Sequence, residues 1–373
     1  MGFTLCQTNI NTDFMKKIIL SLLITTSAFA QNKLEEVVSF GKNQPIGVAV
    51  DYASNRLFVS FPHSEPFLYA LTEIKDGQRT PYPNAAWNWY MPAEYATHFY
   101  NVQDLYADGK GYLWVLDSKP SGSASVFGDD GKKEEGKFKL VKINLATNRQ
   151  EKTYYFGGLD KTKSGLNDVR VDTQRNLAYL SDPAQKAIVV LDLATDSVRL
   201  ALQNDASTTA DVGYILKIDN VEMKDENGNP FKSDVNGIAL TSDNKYFYYK
   251  PINKDALYRI ETKYLADASL SAKELSTKVE TVTTQAGVSH GLECDAKENV
   301  YYGHSPSHSI RYVSPDGKVH TLVTDDRIMW ADSFGIGSDG YLYFSVVQLN
   351  RIAKWNKGQD KVNYPFRVFR VKI

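Results

Sequence analysis

Cysteine is almost missing from this chain: Cys6 and Cys294 are the only two in 373 residues. Cys6 precedes a segment read below as removed, so a mature chain left with one thiol has no internal disulfide. The residues around Cys294 alternate as in a strand, and it reads as a small buried apolar residue. An excess of one charge is also missing, since 43 basic residues meet 44 acidic ones. That balance excludes the basic footprint by which proteins neutralise nucleic-acid phosphate. The longest apolar run, beginning at Ile18, is too short for a stable membrane span. No H-E-x-x-H helix, C-x-x-C pair, G-x-S-x-G elbow, glycine-rich phosphate loop or nucleotide fingerprint occurs. Amphipathic helical periodicity is nearly absent as well.

What is present begins at Met15, where "MKKIILSLLITTSAFAQ" sets two lysines before an apolar run and ends it in small residues. This is the pattern of a secretory signal, with cleavage expected before Gln31. Residues 1–30 are therefore read as a signal peptide whose true start is Met15, and 31–373 as one domain in a secreted or periplasmic protein.

Within that domain one pattern recurs six times: an apolar alternating run, a polar tight turn, and a second run rich in Tyr, Phe, Trp and Val. The copies are "PIGVAVDYASNRLFVSF", "VQDLYADGKGYLWVLD", "LNDVRVDTQRNLAYLSD", "VNGIALTSDNKYFYYK", "SHGLECDAKENVYYGH" and "SFGIGSDGYLYFSV". Their second residues, Ile46, Gln103, Asn167, Asn236, His290 and Phe334, leave room between them for about four short strands each. The fold expected is all-β, a six-bladed β-propeller with a central channel. The early "LEEVVSF" is expected to pair into the last blade and protect its edge. Three long excursions interrupt the pattern. Residues 62–101 are read as a lid, 119–137 as a polar mobile loop, and 203–234 as a third insertion.

In a propeller the start of each innermost strand and the end of the next share one face. Aligning the blades gives a first ring of Gln103, Asn167, Asn236 and His290, backed by Asp117, Asp182, Lys250 and His304. These residues are the expected ligand-binding set at one channel mouth. A turn pairing Asp295 with Asn299 sets His290 opposite His304, and both are candidate general bases because imidazole titrates near neutrality. His308 is expected near the same rim and His320 in the outermost strand. Asn167, Asn236 and Asp182 offer oxygen to a divalent cation, which suits calcium better than zinc. The first blade, however, brings only Pro45 and Ile46 where a carboxylate would be needed.

The stretches "RLFVSFP", "TPYPNAAWN", "DGKGYLWVLDS", "LVKINLATN", "LNDVRVD", "AYLSDPAQKAIVVLDLATDSVR" and "GIALTSDNKYFYYKPINKDALYRI" resemble the yellow and major royal jelly protein family. The closing "DDRIMWADSFGIGSDGYLYFSVVQLNRI" is similar to its bacterial branch. The resemblance implies a secreted six-bladed propeller with a ligand site in its channel, related in fold to gluconolactonase-type propellers. It implies binding of a small aromatic, amine or lactone-type molecule, or isomerase activity of the dopachrome-conversion type. The alternative it implies is a metal-dependent lactone hydrolase, although the first-blade Glu of those enzymes is missing and His290 stands where bacterial relatives have Asp. Gln348, Asn350 and Arg351 are expected to help close the pocket.

Overall fold

The computed structural model describes residues 1–4, 32–121 and 135–373. The signal-peptide reading, Cys6 and most of the 119–137 loop lie outside the described residues. Asn32–Ile373 is one unit.

Six four-stranded antiparallel sheets account for nearly all of its regular structure. Blade 1 runs from Val48–Val50 through Leu57–Ser60 and Leu71–Lys75 to Gln78–Pro81; blades 2 to 5 repeat that order. Their innermost strands are Val102–Ala107, Val169–Asp172, Val235–Leu240 and Leu292–Cys294. Blade 6 begins with Ala331–Ile336, continues through Tyr341–Val346 and Arg367–Lys372, and takes its outermost strand, Glu35–Ser39, from the start of the domain. Glu35 lies opposite Arg370, and Ser39 opposite Arg367, as expected for "LEEVVSF". Both ends of the Asn32–Ile373 unit are thereby tied into one sheet, which closes the ring.

The strands are β-branched and aromatic because each blade is covered on both faces. A separate apolar cluster fills each of the six gaps between blades. Trp114, Phe138 and Leu180 pack between blades 2 and 3, for example, and Tyr248, Leu292 and Tyr302 between blades 4 and 5. A seventh cluster belongs to no gap. It joins Leu216, Ile218, Met223 and Phe231 of the third excursion to Ile46, Val288, Trp330 and Leu349 at the strand starts, covering the channel mouth.

The mouth cover is thus built from the 203–234 excursion and the 347–355 stretch, not from 62–101. Residues 62–101 instead pack on blades 1 and 2. Asn88 accepts the backbone N–H groups of Ala70 and Leu71, both at 2.9 Å, and Lys139 donates to the carbonyls of Tyr95 and His98. In the excursion, a two-stranded ribbon pairs Lys217–Ile218 with Val221–Glu222. Its two-residue turn, Asp219-Asn220, has both φ angles positive (53° and 62°), the geometry that short hairpins need.

The six innermost strands do not ladder with one another, so each joint between blades needs another device. Where the residue after the ring position is glycine, the backbones simply meet. A Cβ on Gly237 would stand 2.0 Å from the His290 carbonyl oxygen, and one on Gly291 1.9 Å from that of Asp332. In blades 2, 3 and 6 a side-chain acceptor bridges the gap. Asp104 accepts from Val169 N at 2.9 Å, Asp168 accepts from Ile238 N, and Ser333 Oγ accepts from Val48 N at 2.8 Å.

Because the backbones at the glycine joints cannot part without opening the ring, Gly237→Ala is expected to destabilise the protein by about 3 kcal/mol. Urea unfolding of the variant measures this; a loss below about 0.5 kcal/mol, the size of an ordinary surface change, would show that the joint yields.

Candidate functional site

The ring position lies at or just before the start of every innermost strand, and in blades 2, 4 and 6 a bulge there re-aims the side chains. The ladder slips between Val102 and Asp104, between Val235 and Gly237, and between Ala331 and Phe334. Gln103 and Asn236 lie in two of these bulges. The third corrects the alignment of blade 6, because the residue that abuts Gly291, as His290 abuts Gly237, is Asp332 and not Phe334. Phe334 instead packs in the cluster between blades 5 and 6.

Gln103 Nε2 donates to Asn167 Oδ1 at 3.2 Å, and Asn167 Nδ2 donates to Asp168 at 2.8 Å. Asn236 Nδ2 reaches Ser233 Oγ at 3.4 Å. His290 is fully buried, stacked on Trp330 at 3.7 Å between ring centres, and its Nε2 lies 2.6 Å from Ser305 Oγ. Its Nδ1 is buried without a partner. Trp330 Nε1 in turn donates to Asp332 Oδ1 at 3.0 Å. Leu292 pairs with Tyr302, the register that sets His290 across from His304, although the ladder stops short of that pair.

His304 Nδ1 is 2.7 Å from Ser307 Oγ. Burial, with the charges of Arg311 and Lys250, lowers its pKa to about 4. Burial holds His290 well below the ordinary imidazole value, with the charge of Lys250 acting in the same direction. Both rings are therefore neutral at physiological pH. Lys250 donates to the carbonyls of Pro251 and Gly287, each at 2.9 Å, and burial pulls its pKa down to about 7.

The remaining expected residues are committed elsewhere. Asp117 is paired with the buried Lys139 at 3.1 Å and accepts from Tyr100 N and Asn101 N. Asp182 accepts from Gly165 N at 2.9 Å and Gln185 N at 3.0 Å, closing a turn. With Asp182 so occupied and the Asn167 amide engaged by Gln103 and Asp168, the set Asn167, Asn236 and Asp182 does not fit a cation. Among the described residues no group of three His, Cys, Asp or Glu is placed to hold a metal. His308 Nε2 meets Asp219 at the ribbon tip at 2.6 Å, which brings it to the same rim. His320 stacks on Tyr312 in the outermost strand. Asn350 lines a cavity of about 150 Å³ beside Arg351 and Trp355, and its Oδ1 has no partner.

The sequence reading missed the charged heart of the channel. Arg170 Nη1 lies 3.3 Å from Asp104 Oδ2, and its Nη2 donates to the Leu292 carbonyl at 2.8 Å and faces Glu293 at 3.7 Å. Its guanidinium carbon is 5.4 Å from the centre of the Tyr106 ring. Asp104 and Arg170 are fully buried, whereas Asp168, Glu293 and Asp332 keep some accessible surface. Asp104, Asp168 and Glu293 thus share one guanidinium, and Asp332 stands near Asp104 and Asp168 as a fourth carboxyl. Burial raises the pKa of all four. The Asp104 charge pushes Asp168 up further despite Arg170, while Glu293 is held back by Arg170. Asp332 rises to about 7 through burial, opposed by its bond from Trp330. A signal for these residues existed. Asp104 and Asp168 directly follow ring residues, and Arg170 and Glu293 each lie three after one.

A model of the family described as "Major royal jelly protein" matches residues 100–321. Curated proteins give no match. Among solved structures, the calcium-binding protein regucalcin from Agrobacterium tumefaciens has a TM-score of 0.53 at 13% identity, covering 92% of this chain and 94% of that one. A luciferin-regenerating enzyme has a TM-score of 0.54 at 13% identity, covering 92% and 95%. A gluconolactonase from Xanthomonas campestris has a TM-score of 0.53 at 8% identity, covering 92% and 90%. At such identities these three share the propeller fold and nothing narrower. The family match spans more than half of the chain and includes the ring positions of blades 2 to 5 as well as Arg170 and Glu293; this protein belongs to the major royal jelly protein family.

Proposed function

We propose that this chain is an exported propeller that binds a small aromatic amine in its central channel. The observation that carries this reading is the surplus of carboxyl groups: Asp104, Asp168 and Glu293 face a single guanidinium, Arg170, and Asp332 adds a fourth carboxyl near Asp104 and Asp168. A buried carboxylate without a counter-charge costs several kcal/mol, so a cation that enters the channel supplies what the protein lacks. The stacked rings of Trp330 and His290 beside Asp332 give a flat cation an aromatic wall. Entry requires the apolar cover of Phe231, Met223 and Leu216 to move aside. Export rests on the "MKKIILSLLITTSAFAQ" segment. Among the described residues no helix is long and apolar enough to cross a membrane.

A second reading keeps the same pocket and adds isomerisation. With Nε2–H donating to Ser305 Oγ, the unpartnered Nδ1 of neutral His290 is left as a buried proton acceptor, which a substrate reaches only once the cover has moved. Lactone hydrolysis assisted by a divalent cation has less support, because the candidate oxygen ligands are already engaged.

Calorimetric titration of the protein from Gln31 with tryptamine tests the first reading. Saturable binding is expected, with Asp332→Asn weakening it at least tenfold; no binding, or binding indifferent to that substitution, would contradict it. The pH dependence has a fixed sign. Asp332 ionises near 7, so affinity for the ammonium should rise by about tenfold between pH 5.5 and 8, with a proton released on binding. The Asp332→Asn profile should rise less steeply over that range, keeping only the part that comes from loss of the Lys250 charge, which also falls near pH 7.

A further inference from the structure

The cover over the channel mouth is built as a strap. Residues 211–233 lie between the last strand of blade 3 and the innermost strand of blade 4, and the ribbon of Lys217–Ile218 and Val221–Glu222 is their far end. The segment alternates as a strand with one wet face does. Leu216, Ile218 and Met223 are buried, whereas Lys217, Asp219 and Val221 are exposed. The buried side rests on Ile46, Val288, Trp330 and Leu349, residues of blades 1, 5 and 6.

The two ends of the strap are held differently. At the root one buried side chain, Asn253, clasps both limbs. Its Nδ2 donates to the Phe231 carbonyl at 3.0 Å and the Tyr214 carbonyl at 3.5 Å, and its Oδ1 accepts from Ser233 N at 2.8 Å. Beside it the Tyr214 hydroxyl donates to Asp255 at 2.9 Å, and Lys254 pairs with Asp211. At the tip the polar hold is a single exposed carboxylate. Asp219 Oδ1 meets His308 Nε2 at 2.6 Å, and its Oδ2 lies 3.5 Å from Arg351 Nη2. Both partners are fixed in the ring: the His308 carbonyl accepts from Asp325 N, and the Arg351 carbonyl from Lys361 N, each at 2.9 Å. The tip thus crosses from its own blades to blades 5 and 6. An exposed ion pair is weak in water and screened by salt, whereas the root is buried and held by several bonds, so the tip is the end that lets go.

We propose that residues 211–233 form a hinged strap, fixed at Asn253 and latched at Asp219, and that release of the latch from His308 and Arg351 opens the channel mouth. What then passes the mouth rests on the reading of the channel as an amine site; the opening itself does not.

Asp219→Asn tests the latch, because it removes the charge and keeps a residue that tolerates the positive φ of 53° at this turn. The probe is Val288→Cys, placed beneath the strap in a Cys294→Ala background of the protein from Gln31, so that iodoacetamide labelling reports opening with no ligand present. Labelling is expected to quicken about fivefold in Asp219→Asn, the effect of losing an exposed ion pair. Arg351→Gln added to it should change the rate less than about twofold, since both act through one contact. Raising salt should speed labelling of the parent and leave Asp219→Asn nearly unchanged. In stopped flow, tryptamine should enter and leave Asp219→Asn about fivefold faster at nearly the same Kd, because the latch is made over an empty and a filled channel alike. Asp332→Asn should weaken tryptamine and leave labelling as it was. The strap is overturned if Asp219→Asn labels no faster than the parent, whether or not tryptamine binds, or if it labels faster while bound tryptamine exchanges no faster. Tryptamine that fails to bind the parent contradicts the amine reading instead, and the labelling rates then decide the strap by themselves.

Discussion

Six sheets must meet around one axis without a hydrogen-bonded ladder between them, and the rest of this structure follows from how those meetings are made. At Gly237 and Gly291 the neighbouring backbone comes so close that no side chain fits, and at Gly47 the space is taken by Ser60 Oγ with the blade 2 backbone just beyond it. At Asp104, Asp168 and Ser333 a side-chain oxygen spans the joint to a backbone N–H of the next blade. The second device puts carboxylates at the axis, where they are desolvated. Arg170 is the one cation that answers them, held by Asp104, Glu293 and the Leu292 carbonyl across the ring from its own blade.

The chemistry of the channel is therefore a by-product of closing the ring. Two carboxylates serve as joints, Glu293 shares Arg170 with them, and Asp332 adds a further carboxyl beside them. Asp332 carries this imbalance in a form that chemistry near neutral pH can use, since its ionisation falls near 7. The histidines that stand out in the sequence have the complementary property. Burial keeps His290 and His304 uncharged, so they shape and wall the pocket without adding to its charge. The cover of Phe231, Trp330 and Leu216 lies over the same mouth and adds apolar surface beside these charges.

The architecture was legible because a propeller repeats its signal. The alternation in "KYFYYK" and "GYLYFSV", the blade count and the pairing of "LEEVVSF" all followed from patterns of period two and from the need to protect an edge. The ring of Gln103, Asn167, Asn236 and His290 was legible for the same reason. The sixth member was misplaced because a bulge at Asp332 and Ser333 puts one extra residue into the innermost strand of blade 6, a change that hydrophobic alternation does not reveal. Asp117 and Asp182 looked like channel residues by position, but their oxygens close turns and, for Asp117, hold Lys139. Arg170 and Glu293 were passed over for a simpler reason: each lies three residues after a ring position, but a charged residue in an alternating strand reads as solvent-facing unless that spacing is used. The 203–234 cover was hidden because a two-residue turn of Asp219 and Asn220 lacks the glycine that advertises such hairpins.

The central claim is that the channel holds more carboxyl groups than its one guanidinium can keep ionised. Carbon-13 NMR of the Asp and Glu side-chain carboxyls, followed from pH 3 to 9 on the ligand-free protein from Gln31, measures this directly. The account predicts that Asp332, assigned by its loss in Asp332→Asn, titrates at about 7 while exposed carboxylates are already ionised. If every carboxyl of the protein, Asp332 included, titrates below about 5, as unperturbed Asp and Glu do, the channel carries no such surplus and the account fails.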